Sequence, residues 1–226
     1  MERWTDQTIL WYAAAVEYTK FGRKLADILT EYLPVNETVC DLGCGIGYLA
    51  LELAARGYAV TAMDREPVPL NWLRKESAWR NSHLTVLEQD WHKLAVEPRW
   101  DNVVMVCSGR TEDTGTFRRF CRKRLIVVDR LSRTSHVRAD GGLSAVRLEL
   151  PQDVEHNCLA HWTFSLEFGQ PLTSRKEARA YITHYGGGAA EEVTLSTLQE
   201  TWDPDYPFYL PHRKDMRLTV YPALGA

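Results

Sequence analysis

Residues 39–48 read Val-Cys-Asp-Leu-Gly-Cys-Gly-Ile-Gly-Tyr, and no other stretch limits the fold so tightly. An apolar, strand-like run ends in Asp41. Gly43, Gly45 and Gly47 follow at alternate positions. A helix-like segment from Tyr48 to Arg56 closes at Gly57, and a second strand, Tyr58 to Met63, ends in Asp64. Strand, glycine turn, helix, strand and acid in that order make one βαβ half of a nucleotide-binding sheet.

Glycine is required where the backbone takes positive φ or touches a ligand. Here the glycines leave few side chains between the main chain and whatever lies on the strand tip. The next helix aims its free N–H groups at the same place. An acid on the second strand tip, as Asp64 is, suits the hydroxyls of a ribose. A pyrophosphate-binding Gly-x-Gly-x-x-Gly loop is the competing reading. Its third glycine would fall at position 48, which is Tyr, and Asp41 two residues before the first glycine would repel a pyrophosphate. The same carboxylate would accept hydrogen bonds from an ammonium. S-adenosylmethionine offers an ammonium, a sulfonium, a ribose and an adenine, and no phosphate.

Asp41-Leu-Gly-Cys-Gly-Ile-Gly47 resembles the first motif of class I S-adenosylmethionine-dependent methyltransferases. Ala62-Met-Asp-Arg65 is similar to their second, and Gln89-Asp-Trp91 stands in the place of their third. The resemblance spans residues 38 to about 130. It implies a seven-stranded mixed sheet whose last strand is antiparallel, S-adenosylmethionine as cofactor, and a methyl acceptor as second substrate. It also implies site roles. Gly43, Cys44, Gly45 and Gly47 line the cofactor, Asp41 orients its ammonium, Asp64 with Arg65 holds the ribose, and Asp90 with Trp91 meets the adenine. Cys107, Ser108 and Arg110 follow the fourth strand, whose tip faces the transferable methyl. Tyr18, in a helical N-terminal segment (1–34) that would act as a lid, is expected near the methionine moiety. That strand tip lacks Asn/Asp-Pro-Pro-Tyr/Phe, which disfavours exocyclic amines of adenine and glutamine amides as acceptors.

The rest of the chain alternates in the same sense. Apolar periodicity predicts helix over 5–32, with Gly22 a candidate break and Pro34 a stop. Strands are expected at 38–42, 59–63, 84–87, 102–107 and 124–129, with helices at 48–56, 70–80 and 112–122. This is a doubly wound, mostly parallel sheet, with ligands at the carboxyl ends of its strands. Residues 159–168 and 215–221 are expected to close it as an antiparallel pair. A helix, 174–185, opens on a capping box from Ser174 to Glu177. The segment 169–214 is expected to cap or flank the sheet. One domain over 1–226 is expected, with 38–130 as cofactor-binding core and 131–226 as substrate-side elements and closing strands.

Composition narrows the partners. A net charge of −3 gives no general drive toward nucleic acid or anionic membrane. The basic cluster Arg118–Arg124 could track RNA phosphates, but it lies at the amino end of the fifth strand, opposite the expected catalytic edge. A solvated helix face is the favoured reading, and a small-molecule acceptor is expected. No apolar run approaches the ~18 residues of a membrane helix. The opening Met1–Asp6 lacks a signal-peptide layout, so a cytoplasmic location is expected. Five scattered cysteines without a Cys-x-x-Cys pair read as buried hydrophobes. A zinc site, a divalent-metal site and a thiol trio for a soft element are all disfavoured by spacing. His136, His161, His184 and His212 have no partner at a readable spacing. The sequence carries no signal for an oligomeric state. The other readings are an RNA or protein methyltransferase, a non-catalytic cofactor-binding subunit and, more distantly, a dinucleotide-dependent oxidoreductase.

Overall fold

The computed structural model describes residues 4–107, 114–131, 157–186 and 195–224. The chain enters through α1 (Asp6–Thr19) and α2 (Phe21–Leu29). Thr5 caps α1, accepting the Thr8 N–H while the Thr8 hydroxyl accepts the Thr5 N–H. The break between the helices falls at Lys20, in left-handed conformation with φ 55°, and not at Gly22. Gly22 is buried within α2, where a Cβ would stand 3.0 Å from the Tyr48 ring. Its small size serves contact between helices rather than a turn.

The strands are β1 (Thr38–Leu42), β2 (Ala59–Asp64), β3 (Leu84–Glu88), β4 (Trp100–Val106) and β5 (Cys121–Arg130), then β6 (Ala160–Glu167) and β7 (Gln170–Leu172), and last β8 (Gln199–Glu200), β9 (Phe208–Leu210) and β10 (Arg213–Pro222). Seven form one sheet in the order β3-β2-β1-β4-β5-β10-β6. β1 to β5 run parallel, and β10 runs antiparallel to both β5 and β6. This is the Rossmann-like methyltransferase fold, and the expected pairing of 159–168 with 215–221 is present. The strand order reverses direction between β1 and β4, which makes their carboxyl ends the switch point where ligands collect.

Helices α3 (Tyr48–Ala55) and α4 (Pro67–Trp79) join α2 on one face of the sheet, over Leu25, Leu49, Leu53, Leu73 and Ile126. The short α5 (Thr114–Arg118) covers the other face with Phe117 and Phe120. Helix had been expected through residue 122. Cys121 and Arg122 instead belong to β5, because Cys121 pairs with Trp100 and the Phe120 carbonyl accepts the Arg99 N–H at 2.9 Å. Strand pairing here overrides a locally helical pattern.

The segment expected as a cap or flank contains α6 (Arg175–Gly186) and a second, antiparallel sheet, β7-β9-β8. Ser174 caps α6 by accepting the Glu177 N–H at 3.1 Å. The Glu177 carboxylate does not complete the box on Ser174. It reaches back to the N–H and hydroxyl of Thr173, both at 2.7 Å, and accepts the Trp11 indole N–H at 3.0 Å. A third apolar cluster, Trp11 with Leu172, Tyr181, Ile182 and Leu210, thereby ties α1 to this layer. Among the described residues no helix is long and apolar enough to cross a membrane.

Candidate functional site

The glycine loop is held to the tip of β2 by its own backbone. Gly43 and Cys44 both donate to the Met63 carbonyl, at 2.7 and 3.0 Å, and Gly47 donates to the Cys44 carbonyl at 2.9 Å. Gly43, Gly45 and Gly47 all take positive φ. Asp64 completes the frame. Its Oδ2 accepts the Gly45 N–H at 2.8 Å and its Oδ1 accepts the Glu66 N–H at 3.0 Å. A carboxylate has about four lone-pair directions, so each oxygen so engaged keeps one for a further donor. Arg65, beside it, is half-exposed and pairs with Glu66 at 3.5 Å. Cys44 is buried behind the loop.

Gly47 has a second constraint. A Cβ there would lie 2.4 Å from Leu73 of α4, so the residue is needed for packing as well as for its φ of 71°. The sequence reading gave this glycine to cofactor approach alone.

Asp41 sits at the tip of β1, 3 % exposed. Burial, and then the neighbouring Asp64 charge, push its carboxyl up to about 7, with the Ala50 backbone N–H opposing them. Two acids thus flank the loop. That environment disfavours an anion and favours a cation.

Asp90 and Trp91 follow β3. Asp90 Oδ1 accepts the His92 N–H at 3.0 Å and lies 2.9 Å from His92 Nδ1, which holds its carboxyl below the usual range. Trp91 stacks on His92, with ring centroids 3.5 Å apart, and meets Phe117 edge-on at 4.6 Å. Cys107 ends β4 as an exposed residue with φ 52°, its N–H bound to the Val128 carbonyl at 2.8 Å. Ser108, Arg110 and His136 lie outside the described residues.

Tyr18 is not placed at the loop. It packs against Tyr206 and Tyr209, with centroids at 5.9 and 5.1 Å, on the side of the small sheet. The N-terminal tyrosine at the loop is Tyr12, whose ring centroid lies 5.6 Å from that of Trp4 and 5.9 Å from that of Tyr48. Six residues at roughly 100° each put the two tyrosines about 120° apart around α1, so one helix cannot aim both at the loop. Trp4 lies over Gly45, its ring 3.4 Å from where a Cβ would stand.

Sequence reasoning did not single out Lys214. It opens β10 at the carboxyl edge of β5, and its Nζ lies 3.1 Å from the Phe168 ring centroid, with Phe21 at 5.2 Å and Tyr12 at 5.5 Å. A lone lysine at the start of a strand offers no sequence signal.

The basic cluster is occupied away from this edge. Glu37, 7 % exposed, accepts from Lys123 at 2.7 Å, Arg124 at 2.8 Å and the Asn102 amide at 2.8 Å. Arg118 donates to the Pro222 carbonyl and Arg122 to that of Arg99. These contacts, rather than a solvated helix face, account for it. Among the other histidines, His161 lies on β6, His184 packs edge-on against Trp11, and burial lowers His212 to about 4. Among the described residues no group of three or more His, Cys, Asp or Glu is placed to hold a metal ion.

Residues 39–124 match a family model described as a methyltransferase domain. No curated protein matches the sequence. Among solved structures, the chain is similar to a Bacillus halodurans protein provisionally named a methyltransferase, at 15 % identity and TM-score 0.53 over 88 % of this chain and 98 % of that one. It is similar to coclaurine N-methyltransferase bound to N-methylheliamine and S-adenosylhomocysteine, at 15 % identity and TM-score 0.53 over 88 % and 72 %. A Pyrococcus horikoshii protein aligns at 16 % identity and TM-score 0.52 over 92 % and 91 %. At these identities the likeness to solved structures is one of fold.

Proposed function

We propose that the chain, whose residues 39–124 match a methyltransferase-domain model, acts as one domain of the class I S-adenosylmethionine-dependent kind, moves a methyl group from S-adenosylmethionine to a small-molecule acceptor and leaves S-adenosylhomocysteine. The observation that carries this reading is the pair of acids, Asp41 and Asp64, set on either side of a glycine loop whose backbone Asp64 and β2 hold in place. Asp41 takes the ligand ammonium and Asp64 the ribose hydroxyls, with Arg65 beside it. Gly43, Cys44, Gly45 and Gly47 give the backbone contact. Asp90 and Trp91 serve the adenine, and Cys107 marks the donor–acceptor junction. Ser108 and Arg110 are acceptor-side candidates by chain position. Of the N-terminal aromatics, Trp4 and Tyr12 form the lid at the loop, and Tyr12 takes the place expected for Tyr18.

The transfer is an in-line displacement at the methyl carbon. Alignment and exclusion of water are the protein's main task, and good alignment supplies roughly 7–11 kcal/mol of the barrier. A small acceptor is favoured by the aromatic N-terminal layer over the site and by the use of Lys123 and Arg124 on Glu37 at the opposite edge. An RNA would need those cations free at the carboxyl edge. The small-molecule amine bound by coclaurine N-methyltransferase fits the same class. A cytoplasmic setting suits five cysteines that are all free thiols.

Calorimetric titration with S-adenosylmethionine, S-adenosylhomocysteine and NAD tests the cofactor. Both sulfur ligands are expected to bind, NAD is not, and Asp64→Ala is expected to lose roughly 10- to 100-fold in affinity, since hydrogen bonds to a charged group are worth about 1.5–3 kcal/mol. Preference for NAD, or no binding of either sulfur ligand, overturns the reading. Tight binding without turnover across an acceptor panel would instead favour a non-catalytic subunit.

A further inference from the structure

Lys214 is a half-buried cation that the site description leaves without a task. Its side chain rises from the first turn of β10 into a box made by Phe168, Phe21 and Tyr12. Tyr12 in turn packs against Tyr48, the residue that follows the glycine loop, with ring centroids 5.9 Å apart. The box therefore adjoins the loop at the tips of β4 and β5. The charged and titratable groups around Lys214 are Tyr12 from α1, with Tyr48 of α3 behind it, Cys107 from β4, Arg130 from β5 and His212 from the turn before β10. The nearby carboxylates are engaged elsewhere. Glu167 accepts from the Tyr209 hydroxyl and the His212 N–H, Asp129 pairs with Arg217, and Asp215 with Ser165. Among the described residues no carboxylate forms an ion pair with Lys214.

We propose that Lys214 is the base of the acceptor pocket, an amine that faces the donor sulfonium and takes the proton of a nucleophile arriving protonated. This rests on the methyltransferase reading above. The acceptor lone pair bonds to the methyl carbon, and the carbon–sulfur bond breaks with its electrons left on sulfur. The acceptor proton ends on Nζ, so the charge lost at the sulfonium reappears as the Lys214 ammonium. Ring faces stabilise an ammonium, which offsets only part of the cost of enclosing it. Burial lowers Lys214 to about 7, opposed by Cys107 and assisted by Arg130. A bound sulfonium on the same side lowers it further. The acceptor class that follows is a small alkylammonium, phenol or thiol, each of which must lose a proton to be methylated.

The test compares the two sulfur ligands, which share the ammonium, ribose and adenine and differ in the sulfonium charge. Their dissociation constants are measured by calorimetry from about pH 6 to about pH 8.5 on the full chain. If Lys214 faces the sulfonium, the ratio of the S-adenosylmethionine constant to the S-adenosylhomocysteine constant falls roughly fivefold as pH rises, because the lysine sheds the charge that repels the sulfonium. Lys214→Gln is expected to hold the low ratio at every pH. Lys214→Arg, which cannot shed its proton, is expected to hold the high one. Retained S-adenosylhomocysteine binding shows that both variants fold. A ratio that stays flat in the wild type, or varies equally in Lys214→Gln, overturns the base and leaves the methyltransferase reading standing. Binding of neither ligand overturns that reading itself.

Discussion

Asp41 is a carboxyl buried at the tip of β1, where ionisation is disfavoured. Its carboxyl is pushed up to about 7 by burial first and the Asp64 charge second. A ligand ammonium would reverse that shift, so the sign of the pH effect is set. Above about pH 7 the carboxylate is already ionised and affinity is level. Below it, binding must expel a proton, and affinity falls by up to about tenfold per unit until the bound-state pKa is reached. Titration with S-adenosylhomocysteine is expected to show this fall, and Asp41→Asn to bind weakly with a flat profile. The acids were legible in the sequence because their meaning depends only on distance from the glycines. The second duty of Gly47 was not, since Leu73 comes to it through the fold. Gly47→Ala is expected to cost about 1–3 kcal/mol by overpacking, with further strain from its positive φ. Leu73→Ala in the same chain is expected to recover part of that loss, a non-additivity that denaturant unfolding of the double-mutant cycle measures. Lys214 was hidden for the same reason: it matters through rings and tips that only the folded chain brings together.

At the scale of elements, the alternation of strands and helices to residue 130 could be read directly, because the central parallel strands β1, β4 and β5 carry apolar runs buried on both faces. So could the β6–β10 pair. The misread boundaries share a cause. Lys20 takes the left-handed turn and Gly22 the tight contact, although φ preference alone would assign them the other way. Cys121 follows a helical pattern yet pairs with Trp100 of β4, and Arg122 lies in the shift of register that follows. The basic cluster looked like a surface feature until Glu37 appeared beneath it. Burial alone would raise the Glu37 carboxyl, but hydrogen bonds from Lys123 and Asn102 and the charge of Arg124 hold it below its usual range. Stability from this group is therefore complete above the unfolded value of about 4.3 and is lost as pH falls through the depressed folded value. Glu37→Ala leaves the buried Asn102 amide without its acceptor and two cations uncompensated. It is expected to cost about 2–4 kcal/mol at neutral pH. Chemical denaturation at neutral pH and near pH 3 checks this, with the gap from the wild type narrowing in acid.

Across the whole molecule, the site draws on the tips of β1, β2, β4 and β5, on α1 from one end of the chain and on β10 from the other. No single segment of the sequence contains it, which is why motifs disclosed the cofactor side and left the acceptor side to be found in the fold. The same distribution has a thermodynamic consequence. A ligand that bridges Asp41, Asp64 and the α1 aromatics binds the native state and not the unfolded chain, so it stabilises the whole cooperative unit by mass action. At about 100 times its dissociation constant the gain is about 2.7 kcal/mol. For a chain of 226 residues, each kcal/mol raises the melting temperature by roughly 2–4 °C. S-adenosylhomocysteine at that excess is therefore expected to raise the midpoint by roughly 5–10 °C. NAD at equal concentration is expected to leave it unchanged, because its pyrophosphate would meet two carboxylates at the loop. Asp64→Ala at the same ligand concentration is expected to lose most of the rise. Thermal unfolding followed by intrinsic tryptophan fluorescence reads all three, and a shift with NAD equal to that with S-adenosylhomocysteine would show that the acids do not set the ligand's charge.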